Sequence, residues 1–355
     1  MKIAVIGAGN GGQTMAGHFS YLGFETRLYS RNLDKLHYLI KNGGVLLKGA
    51  LNGFGKVQLI TDNLQEAIED VDLIMITTVA NAHGEIAEKI APILKENQVV
   101  VLNPGRTFGA LEFRNYANRH ADKRIYVAET QSLLYACRSE NNGEVRVIGV
   151  KNKVPTAALP SSDTKHVLSV LNRVSSSFIE ANNILETSLD NIGCIFHPSI
   201  VLFNAAKIER GENFYFYNDM SPRIAEFLVS IDKERLAIGK ALGIDLISVT
   251  DWISYSYKGV TGNSLLEKMQ NNPAYYKILA PTRLDSRLLT EDIPTGVLPL
   301  MEMGKLLNIP VPLLESIYIL SSQLLDFDFR KSGRTLQNLG LNNMNVAELL
   351  KIMQQ

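Results

Sequence analysis

The sequence predicts an α/β domain with a doubly wound, mostly parallel sheet, followed by an all-helical domain. A glycine-rich loop, Gly7-Ala8-Gly9-Asn10-Gly11-Gly12, directly follows the short apolar run of residues 2–6. Strand-like apolar runs then alternate with helix-like segments through the first half, as in parallel sheets covered by crossover helices. The second half contains one segment after another with helical apolar periodicity, so we expect it to form a separate helical domain.

The glycine-rich loop has the order of strand, loop and helix that a Rossmann-type dinucleotide site requires. In this motif Gly7 makes the tight turn, Gly9 lets the backbone approach a pyrophosphate, and Gly12 lets the helix pack on the strand. The ligand's negative charge then meets N–H groups at a helix N-terminus. We expect cofactor contacts from the loop and from the end of a later strand: Gly7, Gly9, Asn10, Gly11, Gly12 and Thr78.

The other elements of the first half follow from apolar periodicity. Strands are predicted at 26–29, 72–78, 98–103, 125–129 and 145–150, and helices at 32–41, 82–94 and 110–120. Residues 45–60 predict a small hairpin, inserted in the wound sheet, that turns at Asn52-Gly53. Residues 151–164 include Pro155 and Pro160, which predict a surface connection. Residues 178–184 are predicted to form a last strand of the sheet.

The second half predicts helices at 187–210, 221–242, 264–270, 295–307 and 313–325. Ser221 followed by Pro222 is a helix-start signal, and Gly243 is a stop signal. The change of character places the boundary near residue 184. We therefore expect a dinucleotide-binding domain over 1–184 and a helical substrate domain over 185–355.

Composition excludes several classes of partner. Thirty-six basic residues balance thirty-six acidic ones, so nucleic acid is not expected. Cys137 and Cys194 lack metal-ligand neighbours, so no metal is expected, and reduced thiols favour the cytoplasm. No apolar run is long enough to predict a membrane span or a leader. Apolar helices near the C-terminus are compatible with a homodimer and equally with core packing.

The tip of the second strand bears on the choice of cofactor. An NAD site usually has an acidic residue there, but this chain has Tyr29-Ser30-Arg31. A hydroxyl beside a guanidinium suits a 2′-phosphate. Ser30 and Arg31 therefore favour NADP, with NAD possible. Alternatively, Arg31 is a solvated loop residue or stacks on adenine without selecting either cofactor.

His197 differs from the other histidines because nearly all its neighbours are apolar. A buried imidazole needs a partner for each nitrogen, and Pro198 should kink or start the helix there. The pattern fits a core histidine whose ring nitrogens have hydrogen-bond partners as well as it fits a catalytic histidine. Asn204 lies two helical turns along the same face, where it could line the same cleft.

A second candidate segment, residues 283–294, mixes charged and apolar residues. It is compatible with a solvated loop that ends in a helix-capping acid. Alternatively, one carboxylate orients an imidazole, as in hydrolytic triads, and an arginine five positions earlier binds a substrate carboxylate. The charged residues of this segment are Arg283, Asp285, Arg287, Glu291 and Asp292.

Several segments together resemble the opine dehydrogenases of the octopine/nopaline type. They are IGAGNGG at 6–12, LNPGRTFGALEF at 102–113, VAETQSLLYACR at 127–138, the surroundings of His197, RLLTEDIP at 287–294 and LGLNNM at 339–344. The resemblance implies a site in a cleft between a dinucleotide-binding and a helical domain. It also implies reversible NAD(P)H-dependent condensation of an α-keto acid with an amino acid to a secondary amine dicarboxylate.

By this resemblance, His197 would transfer the proton and Asp292 would orient the His197 ring. Glu291 is the alternative to Asp292 as the orienting acid. Arg287 would meet a substrate carboxylate, and Arg106 and Thr130 would lie on the keto-acid side. Two other functions stay open. A ketopantoate or β-hydroxyacid reductase should rely on a lysine in the helical domain, where Lys207 and Lys258 have no convincing motif. A non-catalytic dinucleotide sensor would bind the cofactor without turnover.

Overall fold

The computed structural model of the protein describes residues 1–120 and 123–354. The chain divides into two compact units. The first comprises Met1–Gly105 and Gly109–Thr187, together with Gln354, and the second comprises Arg106–Phe108 and Ser188–Met353. The division after Thr187 lies three positions beyond the expected boundary. The assignment of three residues near position 107 to the second unit was not anticipated.

Within residues 1–120 and 123–354, every strand belongs to the first unit. Those of the described residues are, in chain order, β1 (Lys2–Ile6), β2 (Glu25–Tyr29), β3 (Gly44–Gly49), β4 (Gly53–Lys56), β5 (Leu59–Thr61), β6 (Leu73–Ile76), β7 (Val99–Leu102), β8 (Tyr126–Thr130), β9 (Tyr135–Asn141), β10 (Glu144–Val150), β11 (Val154–Leu159) and β12 (Phe178–Glu180). Its helices are α1 (Asn10–Tyr21), α2 (His37–Asn42), α3 (Leu64–Ile68), α4 (His83–Ile90), α5 (Gly109–Ala117) and α6 (Thr164–Leu171).

The main sheet has the order β12-β11-β8-β7-β6-β1-β2-β5. Six strands from β5 to β8 are parallel, β11 is antiparallel to β8, and β12 is parallel to β11. Taken alone, the parallel strands have the order 3-2-1-4-5-6 of the dinucleotide-binding fold. The strand order reverses between β1 and β6, so the predicted Rossmann-type sheet is confirmed.

The predicted hairpin is present, but its place in the fold was predicted wrongly. Strands β3 and β4 do not extend the wound sheet. They join β9 and β10 in a separate four-stranded sheet of order β4-β3-β10-β9. Helix α1 contacts both sheets, and side chains such as Phe19 and Val45 share one buried core. The pairing of residues far apart in the chain gave no local signal.

The expected surface connection at 151–164 was also wrong, because it contains the buried strand β11. Pro155 has no N–H for the sheet, yet its carbonyl accepts a hydrogen bond from the Gln131 N–H at 2.9 Å. The expected last strand ends early: β12 stops at Glu180 and a helix begins at Ile184.

The second unit is helical, as predicted. Its helices, with α7 continuing from the first unit, are α7 (Ile184–Leu189), α8 (Ile192–Phe203), α9 (Ala205–Glu209), α10 (Pro222–Ala241), α11 (Val249–Ser256), α12 (Leu265–Gln270), α13 (Arg287–Thr290), α14 (Leu298–Leu306), α15 (Pro312–Leu325) and α16 (Val346–Ile352). The single helix expected at 187–210 is three helices. The start of α10 is confirmed, because the Ser221 side chain accepts a hydrogen bond from the Ile224 N–H.

Helix α8 is the most apolar element of this unit, and it contacts α10, α13 and α15. A buried arginine on α10, Arg235, holds the start of α8. Its guanidinium lies 2.6 Å from Asp190 and 2.7 Å from Asp232, and it donates to the Leu189 carbonyl. A guanidinium this deep requires such partners, so the loop before α8 is fixed.

Candidate active site

The glycine-rich loop lies between β1 and α1, at the point where the sheet order reverses. Gly7 has a φ of +111°, which a residue with a side chain rarely adopts. A Cβ at Gly12 would lie 1.7 Å from the Gly7 carbonyl oxygen, whereas a Cβ at Gly9 would meet nothing within 4 Å. Gly12 therefore serves the packing of α1 on β1, and the backbone at Gly9 is open to a ligand.

Thr78 supplies an independent indication of a ligand at this loop. Its Oγ1 is buried and has no hydrogen-bond partner among residues 1–120 and 123–354. A Cβ at Gly7 would lie 3.0 Å from the Cγ2 and from the backbone nitrogen of Thr78, so Thr78 borders the glycine-rich loop. A buried unpaired hydroxyl is costly, and a phosphate or ribose oxygen of a dinucleotide would satisfy it. The loop thus fits the predicted cofactor.

The other loop residues have structural contacts. Asn10 Oδ1 accepts a hydrogen bond from the Ser139 N–H at 3.1 Å, which ties the loop to β9. A Cβ at Gly11 would lie 3.0 Å from Leu133. The Asn10 side chain therefore joins α1 to the second sheet, and its cofactor contact stays a prediction.

The tip of β2 leaves a guanidinium in solvent. The Arg31 side chain is 76% exposed, and its nearest acid, Glu85, lies 3.9 Å away. Glu85 is bound more closely by Lys89, at 2.6 Å. The Ser30 hydroxyl donates to the Asn32 carbonyl at 2.9 Å. Arg31 is thus accessible to an anionic group.

His197 and Asp292 meet in the second unit. Asp292 Oδ2 lies 2.7 Å from Nδ1 of His197, and the two side chains are 1% and 17% exposed. The other ring nitrogen, Nε2, lies 3.2 Å from the Tyr217 hydroxyl. Of the two acids left open by the sequence, Asp292 is the one that contacts the imidazole. His197 is inside α8, and Pro198 follows it within the helix.

Arg106 lies against both acids of the 283–294 segment. Its Nε is 3.5 Å from Glu291 Oε1, and its Nη1 is 3.5 Å from Asp292 Oδ1. Burial alone would raise the pKa of Asp292, but Arg106 and His197 outweigh burial and lower that pKa. Asp292 is therefore an ionised acceptor, and His197 Nδ1 donates to it.

The backbone around Arg106 is held in an unusual conformation. Its φ is +59°, a value that few residues with a side chain adopt. The next residue, Thr107, donates its N–H to the Thr295 carbonyl at 3.1 Å, and it accepts a hydrogen bond from Asn191 at 3.2 Å. Arg334 donates to the Thr107 carbonyl at 2.9 Å. These contacts fix the guanidinium beside the acids.

Gly193 makes room for that guanidinium. A Cβ at this position would lie 2.5 Å from Nη1 of Arg106 and 3.4 Å from the His197 ring. Gly193 precedes His197 by one helical turn, so both face the same side of α8. The missing side chain therefore admits Arg106 beside Asp292.

A π-helical turn, Ile293–Val297, directly follows Asp292. Such turns are rare and frequent at functional sites. Within it, a Cβ at Gly296 would lie 2.4 Å from Cys194, so the turn packs tightly on α8. The expected helix at 295–307 is therefore this turn followed by α14.

Each of the remaining predicted substrate residues has contacts of its own. Arg287 is 60% exposed, and its Nη1 lies 3.7 Å from Glu291 Oε2. Asn204 ends α8 and donates to the Ile200 carbonyl at 2.9 Å. Thr130, in the first unit, is buried, accepts from Asn103 at 2.6 Å and donates to the Ser132 carbonyl. The Thr130 hydroxyl and the Asn204 Nδ2 thus have protein partners.

Tyr217 and Gly193 are the site residues that the sequence did not indicate. Tyr217 lies in an aromatic stretch between helices, with no motif spacing. The one available signal for Gly193 was its distance of four positions from His197. Within the described residues, no cluster of three metal-ligating side chains occurs, and no helix has the length and apolarity needed to cross a membrane.

Family models match both halves of the chain. Residues 180–325 match the model described as NAD/NADP octopine/nopaline dehydrogenase, alpha-helical domain. Residues 3–105 match the model described as Ketopantoate reductase PanE/ApbA. This second match ends at residue 105, within the first unit.

Whole proteins are similar over almost the full length. The chain is 36% identical to an opine dehydrogenase of Arthrobacter sp. (strain 1C), with 97% of this chain and 96% of that one covered. Octopine dehydrogenase with NADH and L-arginine has a TM-score of 0.81 at 19% identity, covering 100% and 98%. Yersinopine dehydrogenase with NADP+ bound has a TM-score of 0.71 at 16% identity, covering 100% and 97%. The chain belongs to the opine dehydrogenase family of oxidoreductases, as its motifs predicted.

Proposed function

We propose that the protein catalyses the reversible, NADPH-dependent condensation of an α-keto acid, such as pyruvate, with the amino group of an amino acid. The product is a secondary amine dicarboxylate. The observation that carries the proposal is the contact of 2.7 Å between His197 and the ionised, buried Asp292. Such a pair orients an imidazole for proton transfer near neutral pH.

The chain's residues account for the protons of this reaction. The amine and the keto acid would lose water to form an iminium, whose carbon would receive a hydride supplied by a nicotinamide cofactor when one is bound. Protonated His197 gives its Nε2 proton to the oxygen that leaves as water. In the oxidative direction, neutral His197 takes a proton from the secondary ammonium group. The protonated product requires one proton from solvent in each reductive cycle.

Substrate carboxylates require cationic partners, and Arg287 is our principal proposal. It is exposed, and its contact with Glu291, at 3.7 Å, is long enough for a substrate carboxylate to replace. A guanidinium can bind a carboxylate through two parallel hydrogen bonds. We assign Arg106 mainly to Asp292 and Glu291, which already flank it. Thr130 and Asn204 stay weaker proposals because the Thr130 hydroxyl and the Asn204 Nδ2 already have protein partners.

A substrate matrix tests the reaction. Keto acids and amino acids, separately and in pairs, are followed by NADPH absorbance, and the product is identified by mass. We expect turnover only when both are present, and His197→Gln should lose on the order of 100-fold or more in kcat while NADPH still binds. The exposed His166, replaced by Gln, is the control. Turnover with a keto acid alone would instead indicate a ketopantoate-type reductase. Binding of NADPH without any turnover would indicate a dinucleotide sensor.

We propose NADP as the preferred cofactor because Arg31 is accessible at the tip of β2. The loop glycines and Thr78 would hold the shared part of the dinucleotide. Replacement of Arg31 by Ala should raise the Kd for NADPH about 10-fold and leave the Kd for NADH unchanged. Arg223→Ala, on an exposed part of α10, is the matched control. An unchanged ratio of the two Kd values would refute the assignment.

We also propose that the enzyme works in the cytoplasm. Among the described residues, Cys137 and Cys194 form no disulfide, as is usual in reducing compartments. Burial raises the pKa of the Cys194 thiol well above its ordinary value, so that thiol is unreactive. Fractionation of the native host cell, with detection of the protein by antibody, tests this location.

A further inference from the structure

Both ring nitrogens of His197 have partners. Asp292, as a carboxylate, can only accept, so the ring carries its first proton on Nδ1. In the neutral ring Nε2 is then an acceptor, and the Tyr217 hydroxyl, 3.2 Å away, donates to it. Our proposed function assigns the transferred proton to this same nitrogen.

The Tyr217 ring is held firmly. It is stacked on Tyr275, with centroids 4.0 Å apart and planes 16° apart, and it meets Phe216 edge-on at 4.9 Å. Tyr275 in turn contacts Tyr257, with centroids 5.4 Å apart. Buried aromatic rings packed in this way have little freedom, so the hydroxyl has a defined position.

The backbone that carries Tyr217 is fixed as well. Phe216 donates its N–H to the Ile278 carbonyl at 2.7 Å, and the Ala280 N–H donates to the Phe214 carbonyl at 3.0 Å. These bonds join the stretch before α10 to the segment after Tyr275. Tyr217 is therefore not a mobile loop residue that contacts His197 by chance.

From these contacts we infer that Tyr217 is a positioning residue, whose hydroxyl keeps the His197 ring in one orientation in both of its proton states. A hydroxyl can donate to the bare Nε2 of the neutral ring and can accept from the N–H of the protonated ring. A lysine or a carboxylate could do only one of these. At 3.2 Å the contact is at the long end for a hydroxyl donor, so Nε2 can reach a substrate atom while the hydroxyl stays beside the ring.

This inference rests on the proposed function only for its effect on turnover. Tyr217→Phe removes the hydroxyl and keeps the ring on Tyr275. We expect kcat to fall about 10-fold in both directions, the effect of one lost hydrogen bond, while KM and the Kd for NADPH stay unchanged. Tyr275→Phe, which removes a hydroxyl from the other ring of the stack, should leave kcat unchanged.

A second readout needs no turnover. In protein labelled with 15N-histidine, the His197 signals are assigned by their loss in His197→Gln. Tyr217→Phe should move the Nε2 signal and not the Nδ1 signal, and Tyr275→Phe should move neither. An unmoved Nε2 signal, or a higher KM at unchanged kcat, would overturn the inference. If no substrate pair is turned over but Nε2 moves, the contact stands and the proposed reaction fails.

Discussion

Replacement of Asp292 by Asn tests the core of the candidate site, because it keeps the shape of the side chain and removes its charge. Asp292 Oδ2 lies 2.7 Å from His197, and Oδ1 lies 3.5 Å from Arg106. At an effective dielectric constant of about 20, the first distance corresponds to an attraction of about 6 kcal/mol for the protonated ring. Since each 1.36 kcal/mol is about tenfold in rate, the largest expected loss in kcat is a few times ~10,000-fold.

An independent estimate gives the same size. In hydrolases whose aspartate binds Nδ1 of the catalytic histidine, replacement of that aspartate by asparagine lowers kcat about 10,000-fold, because the histidine ring adopts the wrong tautomer. Desolvation of the buried carboxylate offsets part of the attraction. We therefore expect kcat for Asp292→Asn to fall on the order of 1,000-fold, with NADPH binding retained.

The assay is the steady-state oxidation of NADPH with the best substrate pair, together with fluorescence titration of NADPH. Asp285→Asn is the matched control, because this carboxylate belongs to the same segment but is half-exposed and pairs with Arg283 at 2.7 Å. We expect its kcat to stay within about twofold of wild type. A kcat for Asp292→Asn within about tenfold of wild type, or an equal loss of NADPH affinity, would refute the reasoning.

The remaining predictions concern the glycine-rich loop and acid stability. Gly12→Ala places a Cβ 1.7 Å from the Gly7 oxygen, so both the unfolding temperature and NADPH affinity should fall. Gly9→Ala meets no atom within 4 Å, so it should unfold like wild type but bind NADPH weakly, since its Cβ would occupy the space of the pyrophosphate; wild-type affinity would contradict this. Because the pKa of Asp292 is lowered in the folded protein despite its burial, its stabilisation is present above the unfolded pKa of about 3.9 and is lost as pH falls through the lower folded pKa. In urea unfolding, the difference between wild type and Asp292→Asn should therefore shrink below about pH 4, and a constant difference would count against the ion pair.

Local sequence patterns predicted part of the first unit but missed the pairings that depend on tertiary structure. The loop after β1 and the continuous apolar strands are signals contained within short windows, and they predicted the wound sheet. Strand β11 was missed because Pro155 and Pro160 are typical of loops, whereas its pairing with β8 is a tertiary effect. The small sheet joins β3 to β10, nearly a hundred positions apart, so no window includes both.

The candidate site shows the same limit. The family motifs led to His197 and Asp292, whose contact across 95 positions no periodicity could predict. The place of Arg106 depends on a φ of +59° and on the missing side chain at Gly193. Tyr217 depends on a stack of rings from separate segments. Each of these is a property of the folded chain rather than of a motif.

The three residues Arg106–Phe108 are encoded within the first half of the gene but fold with the second. A truncated protein that begins at Ser188 would therefore lack the guanidinium that faces Asp292. A chimera that exchanges the nucleotide-binding half for that of another dehydrogenase would likewise import a foreign residue at position 106. A recombined enzyme should therefore keep the tripeptide Arg106–Phe108 from the same parent as its helical half.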